Sequence, residues 1–311
     1  MLIANPIYDT VFKRLMENKR SAKFFIQTLT GEQIEDIAMV PQEYTYHAKI
    51  KKQKSKKKIA DSKDEWEILS LIRFDFVATI HTDDGEYKKV FIEIQKTNKP
   101  TNLMRFRTYL GEQYKHMDLV EVASGKVEKA LPIISIYLLG FKLSNIKAAA
   151  IKVCRTYMDM IEQTEIKQKN KLIESLTHDG YFVQIPHITG KPRTLLESLL
   201  SIFEQKYFID DKNTLKEYEY PIEDESVKAM VEILKHAAAD EKTRREMEEA
   251  WWVEEDEKEY ERMSAELMEN KKTIEEKDKT IEEKDKTIEE KDKSLKEKDK
   301  EIEELRRLLG K

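Results

Sequence analysis

The stretches LIRFDFVATI (residues 71–80) and KKVFIEIQK (88–96) decide how this chain is read. Both are short, rich in β-branched and aromatic residues, and separated by turn residues, which is the pattern of two strands. In the second stretch Ile92 and Ile94 fall on one face by period two. Phe91, Glu93 and Gln95 fall on the other, so the Glu and Gln side chains project side by side, about 6.5 Å apart. Between the stretches, HTDDGEYKK (81–89) carries the Asp84-Gly85 dipeptide of a tight hairpin, which lays Asp75 antiparallel beside the Glu93 strand. Pairing about the Asp84-Gly85 centre matches position n with roughly 169 minus n, setting Asp75 opposite Ile94 and between Glu93 and Gln95. Polar groups among apolar neighbours are costly unless a metal, a partner or solvent satisfies them. Two carboxylates and an amide oxygen form a hard, oxygen-only set that suits magnesium or manganese and not zinc, and points toward phosphodiester hydrolysis. Acidic residues on neighbouring strands also occur on any solvated sheet face, so the spacing alone is a weak pattern.

Further blocks sharpen the reading. NPIYDTVFKRLM (5–16) opens the chain's first helical stretch. RFRTYLGEQY (105–114) follows the hairpin, and ESLTHDGYFVQIP (174–186) and LLSIFEQKYF (199–208) come later. Together with RFDF and FIEIQK, and in this order, they resemble the Rpn family of recombination-promoting nucleases, also described as PD-(D/E)XK nuclease family transposases. The resemblance spans residues 1 to about 210. It implies an α/β fold with a PD-(D/E)XK restriction-endonuclease-like core, a mixed sheet flanked by helices, whose carboxylates bind a catalytic metal for DNA cleavage. Asp75 then resembles the motif Asp and Glu93 the second acid, while Gln95 stands where the wider superfamily has Lys. Asp9 resembles an acidic first-helix position that supports a second metal or the outer shell, although Asp at a helix start is also a routine cap. Gln orients a water or ligates a metal but brings no charge, so the cation must come from elsewhere. Lys13, Lys96, Arg105 and Arg107 are candidates for it; period two turns Lys96 to the opposite face, and Lys13 and Arg107 are favoured. Arg105 and the loop lysines Lys51, Lys52 and Lys54 are candidates for DNA contact.

Composition frames this site. Of 311 residues, 40% are apolar, enough for a core, while charged residues at 38% exceed the usual globular share. The excess is C-terminal: from residue 240 onward 19 basic residues stand against 27 acidic ones, a net of −8, leaving 37 against 34, a net of +3, before it. A mildly basic region of this kind permits nucleic-acid contact. Seven lysines within residues 49–58 read either as a phosphate-contacting loop or as a solvated insert. The single cysteine, Cys154, excludes an internal disulfide and fits a reducing cytosol. There is no signal-peptide pattern and no stretch long enough to span a membrane, so a cytoplasmic location is expected. His178 and His187 lack any metal-ligand spacing and read as structural.

Along the chain, residues 7–30 read as one or two helices and IEDIAMVPQEY as a strand turning at Pro41. A helix follows Pro100, with Leu103, Phe106, Tyr109 and Leu110 inward and Arg105, Arg107 and Gln113 able to reach the site or DNA. LPIISIYLLGF (131–141) is a central strand, and AAAIKVCRTYMDMI and YFVQIPHI supply strands of an extension. An amphipathic helix over 192–208 closes the globular part, with Leu196, Leu199, Leu200 and Phe203 inward. The organisation expected is a nuclease core over 1–145, a β extension and closing helix over 146–220, a helical linker over 221–271 and a charged heptad-repeat helix over 272–311. In that tail KTIEEKD occurs three times from Lys272, so apolar residues recur at Ile274, Ile281, Ile288, Leu295, Ile302 and Leu309. A period of seven favours a left-handed supercoil. The second core position holds Lys or Asp, however, so a weak homodimer through 272–311 and a lone charged helix supported by i,i+4 pairs such as Glu275–Lys279 both remain open. Two functions follow: a magnesium- or manganese-dependent DNA endonuclease linked to recombination or mobile elements, or a catalytically inactive nuclease-fold protein acting through its coiled-coil tail.

Overall fold

The computed structural model describes residues 1–40, 43–49, 67–73, 75–97, 100–122, 125–308 and 310. The expected turn at Pro41 and the loop lysines Lys51, Lys52 and Lys54 lie outside the described residues. Two compact units divide the chain, Met1–Glu248 and Glu249–Lys311. The first is mixed α/β around a six-stranded sheet. Its strands are β1 (Ile34–Met39), β2 (Phe76–Thr82), β3 (Tyr87–Gln95), β4 (Ile133–Leu139), β5 (Ala150–Val153) and β6 (His178–Gln184). The spatial order is β5-β6-β4-β3-β2-β1. β1, β2 and β3 form an antiparallel meander, β4 and β6 run parallel to β3, and β5 returns antiparallel on β6. The strands expected in the extension therefore lengthen the same sheet. β4 is buried at all seven positions, as a strand covered on both faces must be.

Helices cover both faces. On one, α1 (Asp9–Glu17) and α2 (Lys19–Thr30) bury Phe12, Leu15, Met16 and Phe25. Asn18 caps α2 by accepting the Ser21 N–H at 3.1 Å, and Gly31, at φ +79°, ends it in the left-handed conformation. Phe12, Phe25 and Phe203 meet edge-on with ring centroids 5.8–6.4 Å apart, the geometry favoured by aromatic quadrupoles. On the other face, α3 (Pro100–Lys115) lays Phe106, Tyr109 and Leu110 over Val77, Phe91 and Tyr137. Leu103, expected to point inward, is 60% exposed, because the covered part of α3 begins only at Phe106.

After the short α4 (Lys171–Ser175), α5 spans only Leu195–Ser201, not the whole of 192–208. The buried Lys216 ammonium explains the stop. It donates to the carbonyls of Ile202 (2.7 Å) and Glu204 (2.5 Å), the acceptors that a continuing helix would use for itself. Leu199, Leu200 and Phe203 are nonetheless buried. The N-terminal residues Leu2–Ala4 pair antiparallel with Leu215–Glu217, and the Asn5 amide donates to Gln205 Oε1 (3.0 Å) and the Asn213 carbonyl (2.8 Å). This clamp, with Tyr8 Oη on the Lys212 carbonyl at 2.7 Å, fixes where α1 starts. α6 (Glu225–Ala239) and α7 (Glu241–Leu308) are separated by Asp240, which caps α7 and pairs with Arg14 at 2.6 Å. α7 runs unbroken across the boundary at 271/272 expected from composition. Among the described residues no helix is long and apolar enough to cross a membrane.

One glycine ties the sheet to the end of β3. The Gly140 N–H donates to the Gln95 carbonyl at 2.7 Å, and a Cβ built at Gly140 would lie 2.8 Å from the Lys96 carbonyl oxygen and 2.9 Å from its Cα. Both are backbone atoms with little room to yield. Gly140→Ala is therefore expected to lower stability by about 1–3 kcal/mol, the usual range for overpacking, with an unchanged urea m-value in equilibrium unfolding.

Candidate metal centre

Glu93 and Gln95 close β3 on the face that α3 covers, so neither side chain escapes to water. Glu93 is 1% exposed and Gln95 7%. The hairpin that brings Asp75 to them turns through three residues, Asp83, Asp84 and Gly85. The Thr82 N–H donates to the Glu86 carbonyl at 2.9 Å, and Gly85 takes φ +81°. A three-residue loop with glycine in the left-handed position is a standard hairpin closure. Its centre is Asp84 itself and not the Asp84-Gly85 bond, so the register runs Phe76↔Ile92 to His81↔Tyr87. Continued outward, it sets Asp75 level with Glu93, one residue from the expected pairing with Ile94. Asp75 sits in the bend before β2 and its Oδ2 accepts the Ile94 N–H at 2.6 Å, which leans the carboxylate between Glu93 and Gln95. Val77, Phe91 and the α3 aromatics form the apolar floor.

Arg105 completes the cluster. From the first turns of α3 its Nη2 reaches Gln95 Oε1 at 3.0 Å and Glu93 Oε2 at 3.4 Å. The Gln95 Nε2 donates to the Thr97 carbonyl at 3.1 Å, which fixes the amide so that its oxygen faces the guanidinium. The other carboxylate oxygen of Glu93, Oε1, is buried with no hydrogen-bond partner. Burial lifts both acids. Desolvation, with the charge of Asp75 next, pushes the Glu93 carboxyl up to about 9, against the pull of Arg105. Desolvation likewise raises Asp75 to about 6, opposed by the Ile94 N–H and reinforced by the charge of Asp9.

No family model matches this chain. No curated protein and no solved structure matches it either. Function therefore rests on the geometry.

The other expected site residues fall in three groups. Asp9 and Lys13 pair with each other on α1 at 2.8 Å, and both act electrostatically on Asp75. Arg107 is exposed and lies about 200° around α3 from Arg105, so it is Arg105, expected at DNA, that turns to the acids. Gln113 is 2% exposed and does not reach outward. Lys96 holds the opposite face as expected, its Nζ 3.9 Å above the Tyr8 ring. His178 contacts Tyr114 Oη at 3.1 Å beside Arg155, which binds Asp179 and Glu174, a structural network away from the acids. One signal for Arg105 was present in the sequence: it lies ten residues after Gln95, just inside a helix that starts at a proline.

An unpartnered buried oxygen, two acids raised by desolvation and a nearby amide oxygen fit a hard divalent cation, which would hold Asp75 and Glu93 ionised. Among the described residues no group of three or more His, Cys, Asp or Glu converges on one point, so a cation here would have two carboxylates, and Gln95 would have to be its third protein donor. Without the cation, a carboxyl whose folded value lies above its ordinary 4.5 binds more protons folded than unfolded, and its stability contribution disappears as pH rises toward about 9. Glu93→Gln should consequently melt above wild type in a chelator at about pH 8, by 2–4 °C for each kcal/mol that it costs to keep the buried carboxyl protonated at that pH. The gap should shrink toward about pH 5 in scanning fluorimetry.

Proposed function

We propose that this chain is a divalent-metal-dependent DNA endonuclease that hydrolyses phosphodiester bonds. The observation that carries the reading is the buried Glu93 carboxylate, one oxygen unpartnered, beside Asp75 and under the Arg105 guanidinium. The mixed sheet flanked by helices and the sequence blocks that resemble the Rpn nucleases support the same conclusion, and through that resemblance the reaction belongs with recombination or mobile elements.

Asp75 and Glu93 would hold the cation, magnesium or manganese, with Gln95 as third oxygen. The cation, when bound, lowers the pKa of a ligated water and neutralises charge on the scissile phosphate. The chain's own residues do the rest. The Ile94 N–H orients the Asp75 carboxylate, and the Thr97 carbonyl, by accepting from Gln95 Nε2, turns the Gln95 oxygen toward the acids. Arg105 supplies the positive charge that Gln95 lacks. Its planar fork, 41% exposed, can leave Glu93 for the non-bridging oxygens of a phosphate, where charge grows in the transition state. The apolar floor of Phe91, Tyr137 and Phe106 keeps water from the buried side of the acids.

Purified protein should nick supercoiled plasmid with magnesium or manganese. Asp75→Ala and Glu93→Ala should each lose the activity, and Arg105→Ala should slow it by about 100-fold, as removal of one preorganised charge donor does. Equal nicking by wild type and variants would remove the proposal. No nicking by any of them over a broad metal series would favour the inactive nuclease-fold protein acting through its tail.

A further inference from the structure

The apolar repeat of α7 is longer than KTIEEKD suggests. Stepping back by seven from Ile274 gives Leu267, Tyr260 and Val253, and stepping forward gives Ile281 through Ile302, all on one unbroken helix. None is covered: Ile274, Ile281, Ile288, Leu295 and Ile302 are 48–60% exposed. A straight helix rotates such a stripe by about 20° per heptad, so over the seven heptads from Val253 to Ile302 it turns through about 140°. No flat protein surface or straight helix could follow it. A helix with the same period can, by winding around it.

We infer that α7 binds the α7 of a second copy of this chain as a parallel, in-register, left-handed coiled coil from Val253 to Ile302. Three features favour this occupant. In a parallel pair each isoleucine stacks on its own counterpart, whereas an antiparallel pair would set isoleucine layers against the lysines three residues on. β-branched residues at the first core position favour two strands. From residue 277 to 298 the second core position is Lys277, Lys284, Lys291 and Lys298, and each is followed directly by aspartate, Asp278, Asp285, Asp292 and Asp299. In a parallel pair that second-position side chain packs beside the residue that follows its counterpart on the partner helix. Each lysine stem therefore covers apolar surface while its ammonium meets an aspartate across the seam. Met263 and Leu305 supply apolar residues at the same second position near either end. Asp256 and Asn270 hold the same position further toward the N-terminus, so six polar layers, four of them with a lysine–aspartate contact, lie between Val253 and Ile302 beside the apolar first-position layers, and the assembly carries two copies of the Asp75–Glu93 cluster.

Sedimentation equilibrium of the full chain, over the widest loading range attainable, should converge on twice the 36.8 kDa chain mass. The triple variant Ile274→Asn, Ile281→Asn, Ile288→Asn should sediment as the monomer while its circular dichroism keeps the helical signal, which separates lost pairing from unfolding. Orientation is read with Ile274→Cys and Leu295→Cys, each in a Cys154→Ser background, under mild oxidation. Both should cross-link, because an antiparallel pair can bring at most one of them onto its dyad. A wild-type monomer at every loading, a mass above twice the chain, a triple variant that still pairs, or cross-linking at one cysteine or neither would overturn the proposal.

Discussion

The position of β3 inside the sheet governs the structure. It hydrogen-bonds to β2 on one side and to β4 on the other, and its two faces lie under the α1–α2 pair and under α3. Any polar group on β3 must find its partners within the protein. Glu93 and Gln95 stand at the end of that strand, and the structure answers with the Asp75 bend, Arg105 and the Thr97 carbonyl. One oxygen of Glu93 is left without a partner. A buried acid with an unused lone pair is expensive where only stability matters. It is an ordinary arrangement where a cation is to be bound.

How far the sequence revealed this depended on the range of the interactions involved. Strand character and side-chain alternation are local, so β3, β4 and the shared face of Glu93 and Gln95 were legible from period two. The hairpin was legible too, but its register was one residue out, since Asp83-Asp84-Gly85 can close as a two- or a three-residue loop and only the Thr82–Glu86 pairing distinguishes them. Which arginine of α3 meets Glu93 and Gln95 was not legible, because α3's rotation is set by Phe106, Tyr109 and Leu110 docking on Tyr137. The early end of α5 was hidden altogether: it depends on the ammonium of Lys216, which is distant in sequence and inside the core.

With a neutral glutamine at position 95, the positive charge beside the acids stands on a helix and not on the strand. A lysine there would have its ammonium fixed by the sheet. Arg105 instead stands on α3, whose own footing is a few aromatic contacts, and it is the more exposed member of its pair with Glu93. Holding both Gln95 and Glu93 at once, it reports on the state of each. Loss of the acid pair frees the guanidinium, and capture of the guanidinium by an anion uncovers the acids. Four of the side chains that share the electrostatics of this cluster lie within 31 residues of chain, 75 to 105, while Asp9 and Lys13 act on it from α1.

The clamp between Leu2–Ala4 and Leu215–Glu217 has a consequence for synthesis in the cell. The first strand of the chain has no partner until the segment around residue 217 has left the ribosome, and at ordinary elongation rates of about 5–20 residues per second that takes on the order of 10–40 s. During this interval α1 can coil and the β2–β3 hairpin can close, but the start of α1 has no anchor. Asp9 and Lys13 reach their final places beside Asp75 only after the acids themselves are in position. The nascent chain assembles its acids early and its electrostatic surroundings late, so a ribosome-bound fragment ending before residue 213 lacks the clamp.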